Sequence, residues 1–276
     1  MGFPVYDNHV HLSPRGRGID ALLAFKAAGG TGLTLVTLPY PWVRISRAGD
    51  FLDSFAIAES MAREGRERTG LTINLAVGPY PVLLLGLAER HGLAKAEEIM
   101  LGGMEIAAGL VREGRAAAIG EVGRPHFPVD RAIMEASDRI LLRGMELARE
   151  CDCPVIVHCE SDEGTFGSLR ELADRARLPP GMVVKHFSAP VVDETANRGI
   201  MPSMPASRKC LAEALAVGDR FMVETDYVDD PDNPHAVMAI NTVPKRIKAL
   251  HASGAASEET IWRICGDIPS RLYGRG

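Results

Sequence analysis

The sequence has no long apolar run, few aromatics and no excess of basic charge, and each shortage narrows what the chain can be. Its longest apolar stretches, such as Pro81 to Leu87 and Pro154 to Val157, fall far short of the roughly 20 residues that cross a bilayer. No basic, apolar leader precedes Asp7, His9 and His11, which predicts a cytoplasmic protein that does not meet a membrane. Five cysteines are an odd number in a chain large enough to need no staples, and they predict reduced thiols. Cys151-Asp152-Cys153 lacks the second Cys or His pair of a zinc knuckle. A net charge of −5 with 5% aromatics supplies neither the basic field nor the stacking platform of a single-stranded nucleic-acid binder. An enzyme that holds phosphate through cations escapes that exclusion. No repeat, low-complexity tract or Gly/Ser/Pro linker interrupts the 276 residues, so residues 1–276 are expected to form one domain with a large core.

What is present is an alternation of short β-branched runs with longer amphipathic stretches. Strands are predicted at Val5 to His11, Leu33 to Leu38, Leu71 to Val77, Ala117 to Val122, Pro154 to His158, Met182 to His186 and Arg220 to Glu224, with a weaker one at Gly199 to Met201. Helices are predicted at Gly18 to Ala28, Asp50 to Arg68, Ala94 to Arg112, Asp130 to Glu150, Ser168 to Ala176, Ser207 to Ala216, His235 to Ala252 and Ser257 to Ile264. Gly114 and Gly254 stand where helices should stop, and Ser257 is placed to cap the last one. Eight strand–helix units favour a single-domain (β/α)8 TIM barrel over a doubly wound open sheet, because no Gly-rich dinucleotide turn follows the first strand.

In such a barrel chemistry gathers at the C-terminal ends of the strands. Five of the runs close on polar residues: His9 and His11, Glu121, His158, His186 and Asp226. Asp7, His9 and His11 alternate along one strand and share a face, so two imidazoles can converge on a cation. Glu121 sits in an apolar run between Gly120 and Gly123. A carboxylate there is costly to bury unpaired, and it is equally suited to bridging two cations or to an ordinary salt bridge. His158 or His186 alone would pass for a hydrogen-bonded core histidine. Glu224 and Asp226 also share a face, so spacing does not choose between them. Taken together, four histidines and two carboxylates at five strand ends form the nitrogen and oxygen inventory of a two-metal hydrolase. His126 and His235, in loops of the same face, are candidates for substrate contact, whereas His91 and His251 fall within helices.

Asp7-x-His9-x-His11, Gly120-Glu121-Val122-Gly123, Pro154 to Cys159, His186-Phe187-Ser188 and Glu224-Thr225-Asp226 resemble, in order and spacing, the signatures of the TatD-like metal-dependent hydrolases of the amidohydrolase superfamily. The segment Ile268 to Gly274 is similar to that family's C-terminal end, so the likeness spans nearly the whole chain. It implies a barrel with two divalent metal ions (Zn, Mn, Mg, Fe or Ni). His9, His11 and Asp226 would hold one, His158 and His186 the other, and Glu121 would bridge them. It implies Asp226 and Glu121 as the catalytic carboxylates, Asp7 as an orienting group, and phosphoester cleavage, with deoxyribonuclease or 3′–5′ exonuclease activity among the family's reactions. An amidohydrolase or lactonase acting on a small carbonyl compound, or a barrel that only binds metal, are the competing readings. Arg124, Lys185 and His126 are expected to steady charge on the substrate. Arg124-Pro125-His126 departs from the family's usual continuation of the fourth strand. The loop Asp229 to Asp232 is acidic where the family reaches a proline, and is expected to turn away a long polyanion such as DNA in favour of a small phosphoester or carbonyl substrate. No obligate protein partner is expected.

Overall fold

The computed structural model describes residues 2–233 and 236–274. Strands β1 (Tyr6–His11), β2 (Gly32–Val36), β3 (Thr72–Val77), β4 (Ala118–Gly123), β5 (Val155–His158), β6 (Val183–Lys185), β7 (Met201–Pro205), β8 (Met222–Glu224) and β9 (Tyr227–Val228) are all paired in parallel. Between and after them run α1 (Ile19–Ala28), α2 (Phe51–Thr69), α3 (Leu83–His91), α4 (Leu93–Arg112), α5 (Arg131–Glu150), α6 (Thr165–Ala176), α7 (Arg208–Val217), α8 (Thr242–Ala252), α9 (Glu258–Trp262) and α10 (Ile268–Tyr273).

Sequence neighbours pair in order from β1 to β8, and β9 returns to pair with β1. Because only Thr225 and Asp226 separate β8 from β9, these two are one stave in two pieces. Its first half is bonded to β7 through Ser203↔Met222 and Pro205↔Glu224, its second to β1 through Val10↔Tyr227 and His11↔Val228. The fold is therefore the expected (β/α)8 barrel, closed across a split last strand. At the split, the Asp7 carboxylate accepts the Thr225 N–H at 2.9 Å and the Thr225 hydroxyl at 2.7 Å, replacing the missing ladder.

Alternation along the strands sorts the core into two layers. Leu75, Val77, Val155, Val157 and Val183 join the larger apolar cluster with the helices, whereas the intervening Ala76, Ile156 and Val184 join a second cluster with Ala118 and Met201. All five cysteines are buried. Among the described residues no helix is long and apolar enough to cross a membrane.

Several elements differ from expectation. No helix follows β6; residues 186–200 are loop and turn. The helix expected from His235 begins only at Thr242, and His235 itself lies outside the described residues. Leu83–His91 is an added helix that the apolar run Pro81 to Leu87 concealed. The helix expected from Ser168 begins at Thr165, whose turn Asp162 closes by accepting the Gly164 N–H at 2.8 Å and the Thr165 hydroxyl at 3.1 Å. The final helix is capped by Ser257 as expected, then widens into a π turn at Arg263–Asp267 before α10.

Candidate metal centre

The C-terminal ends of β1, β4, β5 and β6 and the β8–β9 junction bring His9, His11, Glu121, His158, His186 and Asp226 to one place. Five of them line a cleft of about 250 Å³ with Leu38, Pro39, Tyr80 and Val228, and His9 lies beneath, without exposed surface. Glu121 is central. Its Oε2 lies 3.4 Å from His9 Nε2 and 3.5 Å from His11 Nε2, and its Oε1 lies 3.1 Å from His186 Nε2 and against His158 Nδ1. Asp226 Oδ1 is 3.6 Å from His11 Nε2 and 3.9 Å from His9 Nε2. The side chain reaches that position from a left-handed backbone, φ 50°, at the break between β8 and β9.

Hydrogen bonds on the far side of the rings fix which nitrogen faces the cleft. His11 Nδ1 is 3.0 Å from the carbonyl of Val36, which can only accept, so Nδ1 carries the proton and Nε2 presents a lone pair. His186 Nδ1 faces Glu224 Oε1 at 3.1 Å, with the same consequence for its Nε2. His158 Nε2 lies 2.8 Å from His126 Nδ1. His9 Nδ1 is buried without a partner, and its ring stacks on His186 at 4.1 Å.

Imidazole nitrogens and carboxylate oxygens thus converge with no lysine or arginine among them, an arrangement that positive charge satisfies, whether from protons on the rings or from a bound metal ion. Burial opposes charge on Glu121, yet His186 and the other imidazoles hold its carboxyl well below the usual range. Burial likewise opposes Asp226, but His11 and the neighbouring imidazoles lower it. Both carboxylates are therefore ionised at neutral pH, the state in which a carboxylate can take a metal ion. Burial resists a charge on His186 as well; Glu121 and Glu224 override it and push the ring up to about 10. Without a bound metal that ring carries a proton at neutral pH, which a metal ion binding at Nε2 would displace. His9, His11 and Glu121 form one group able to hold a metal ion, Glu121, His158 and His186 a second, and His9, His186 and Glu224 a third. In the first group the edges between donor atoms are 3.1, 3.4 and 3.5 Å. Three such atoms share a point about 1.9 Å from each, close to the roughly 2.0–2.2 Å of zinc–nitrogen and zinc–oxygen bonds.

The remaining candidates take other positions. Asp7 makes no hydrogen bond to a histidine ring among the described residues; it accepts the His9 backbone N–H at 3.3 Å and closes the barrel at Thr225. Arg124 is buried between α5 and α6, bonded to Asp138, to Glu160 at 2.8 Å and to Ser168 at 2.9 Å. Lys185 is buried and donates to the carbonyls of Cys159 at 3.1 Å and His186 at 2.8 Å. His126, by contrast, is exposed at the rim. Glu224 stands under His186: Oε1 also accepts the Phe187 N–H at 2.7 Å, and Oε2 accepts the Ser203 hydroxyl. Tyr80 was missed in the sequence. Its ring packs edge-on against His158 at 5.3 Å, and the only signal for it was a polar residue between Pro79 and Pro81 just beyond β3.

The acidic loop is not what its composition suggested. Asp229 is buried and accepts the N–H groups of Ser13, Arg17 and Gly18 together with the Tyr227 hydroxyl, leaving Asp230 and Asp232 as the loop's outward acids.

Residues 6–274 match the TatD related DNase family. An uncharacterized protein of Methanocaldococcus jannaschii is 32% identical over 274 residues, covering 98% of this chain and 95% of that protein. The crystal structure of a TatD-like protein from Archaeoglobus fulgidus superposes with a TM-score of 0.65 at 20% identity, over 97% of this chain and 99% of the other. An organophosphorus hydrolase from Deinococcus radiodurans gives a TM-score of 0.65 at 17% identity, over 99% and 93%. The barrel, the imidazole and carboxylate cluster at its mouth and the match over nearly the whole length agree: this chain belongs to the TatD-related DNase family and is a metal-dependent hydrolase.

Proposed function

We propose that the mouth of the barrel holds two divalent cations and hydrolyses phosphoester bonds of small substrates. His9, His11 and Asp226 would hold one cation, His158 and His186 the other, and Glu121 would give one oxygen to each. The observation that carries this reading is the division of Glu121, with Oε2 facing one imidazole pair and Oε1 the other. A pair of bound divalent cations supplies an acidified water and polarises the electrophile.

The chain's own side chains do the rest. Asp226, held ionised and facing the cleft, accepts the proton of the attacking water at its carboxylate. Glu224 and the Val36 carbonyl keep His186 and His11 in the tautomers that present Nε2. With Arg124 and Lys185 committed to protein partners, His126 is the rim residue placed to steady a departing oxygen. A hydrolase of organophosphorus compounds on the same fold is in keeping with attack at phosphorus. The cleft is small, which favours compact substrates over long polymers.

The test is an activity screen of metal-reconstituted protein against matched phosphomonoester, phosphodiester, lactone and amide substrates, with single-stranded DNA alongside. Turnover of small phosphoesters well above the others supports the reading. Preference for the lactone or amide replaces it with a carbonyl hydrolase, and rapid, salt-insensitive digestion of DNA restores a nuclease.

A further inference from the structure

We propose that the cavity beside the metal cleft receives the body of the substrate, and that this body is a compact aromatic or aliphatic group ending in a carboxylate. The inference rests on the phosphoester reading only for the identity of the bond that is cut.

The cavity is about 530 Å³, roughly twice the cleft, and shares Leu38, Pro39 and Tyr80 with it, so the two spaces adjoin. A volume of this size is within the range of about 300–1,000 Å³ that suits a small organic ligand and is far more than a bare phosphate needs. Its walls are largely apolar, from Tyr40, Val43 and Ile45 after β2 to Phe51 on α2 and Leu83 on α3.

Two charges interrupt these walls, and both are guanidinium groups. Arg44 makes no ion pair or hydrogen bond among the described residues, and Arg90 donates only to the carbonyl of Ile45, at 3.2 Å. No carboxylate lines the cavity among those residues. Both arginines are exposed at the edge of the cavity and meet no carboxylate among the described residues, so an apolar ligand with an anionic end suits the space, because the planar fork of arginine matches a carboxylate through paired hydrogen bonds. In a neighbouring cavity that shares Leu38, Pro39, Tyr40 and Pro41 with it the balance is reversed. There a space of about 410 Å³ sets the outward Asp230 and Asp232 beside Arg15, a wall that disfavours anions. The Tyr80 hydroxyl has no hydrogen-bond partner among the described residues and stands where cleft and cavity meet, free to donate to the oxygen that joins the two parts of the substrate.

Isothermal titration calorimetry on the full-length, metal-reconstituted protein tests this without turnover. The probes are methylphosphonate, phenylphosphonate, 4-carboxyphenylphosphonate and 4-methylbenzoate. Phenylphosphonate is expected to bind more tightly than methylphosphonate, and the carboxylated compound at least tenfold more tightly again. The double variant Arg44→Ala/Arg90→Ala is expected to lose that tenfold while keeping its affinity for methylphosphonate, which reports an intact metal cleft. Equal affinities for the three phosphonates, or a carboxylate preference that survives in the variant, would overturn the assignment and leave the phosphoester reading standing. Arginine-dependent binding of 4-methylbenzoate with no phosphonate binding would keep the cavity's role and remove the phosphoester. Binding of none of the four would overturn both.

Discussion

Glu224 has no exposed surface, and its charge is answered by His186 Nδ1, the Phe187 N–H and the Ser203 hydroxyl. Glutamine at this position keeps an acceptor for His186 but removes the negative charge that makes the imidazole a stronger donor to a cation. Glu224→Gln is therefore expected to weaken metal binding at the His158–His186 side by roughly 10- to 100-fold, the range such orienting partners command, and to leave the His9–His11 side nearly unchanged. Competition with a coloured chelator reads both affinities. Equal weakening, or none, would mean that Glu224 does not act through His186. The residue also shows a limit of sequence reading. Glu224 and Asp226 lie on the same face of an ideal strand, and what separates them is the positive φ at Asp226, which sequence spacing does not encode.

Among the elements, the turn after β1 depends on a carboxylate from the far end of the chain. Asp229 takes the N–H groups of Ser13 at 3.2 Å, Arg17 at 2.9 Å and Gly18 at 2.8 Å, and the Tyr227 hydroxyl at 3.0 Å. Asp229→Asn would turn an amide NH₂ against some of these donors, so a loss of about 2–3 kcal/mol is expected in denaturant unfolding, with little change in metal content. A neutral result would show that the turn holds without it. On the outside of the barrel, Glu59 of α2 meets Arg115 in the loop before β4 with nitrogen–oxygen distances of 2.8 and 2.6 Å. The hydrogen bond from Arg115 lowers the Glu59 carboxyl below its ordinary value. A carboxyl lowered in the folded state contributes stability above its unfolded value and loses it as pH falls through the folded one. Glu59→Gln should thus cost less than about 1 kcal/mol at pH 7, as partly exposed pairs do, and nothing once the pH is below the folded carboxyl's range. Melting curves at neutral and acid pH check both. A cost that persists unchanged in acid would point to packing instead of charge.

Elements were legible where one pattern dominated and obscure where two competed. The β-branched runs of β3 and β5 and the long amphipathic α2, α4 and α5 stand within a residue or two of their expected ends. β7 was barely visible because Pro202 and Pro205 remove ladder donors, although its first residues pair with β6 and its last with β8. α3 was hidden because seven residues of nearly continuous apolar character carry no helical period.

For the molecule as a whole, closure of the barrel is what gathers the site, since residues separated by more than 200 positions meet where the split last strand joins β1. The four histidines and two carboxylates could be singled out as a set because all six fall at or near the C-terminal ends of five strands, a place where buried polar residues are costly unless used. The roles of Arg124, Lys185 and Asp229 could not be foreseen, because their partners come from other elements and nothing in local sequence announces them. The two-cation assignment is tested most directly by metal analysis of purified, zinc-reconstituted protein freed of excess metal. Wild type is expected to retain two equivalents per chain and Glu121→Gln fewer than one, because an amide lacks the second anionic oxygen needed to serve both ions. Two equivalents held by Glu121→Gln, or a wild type that saturates at one, would contradict the assignment.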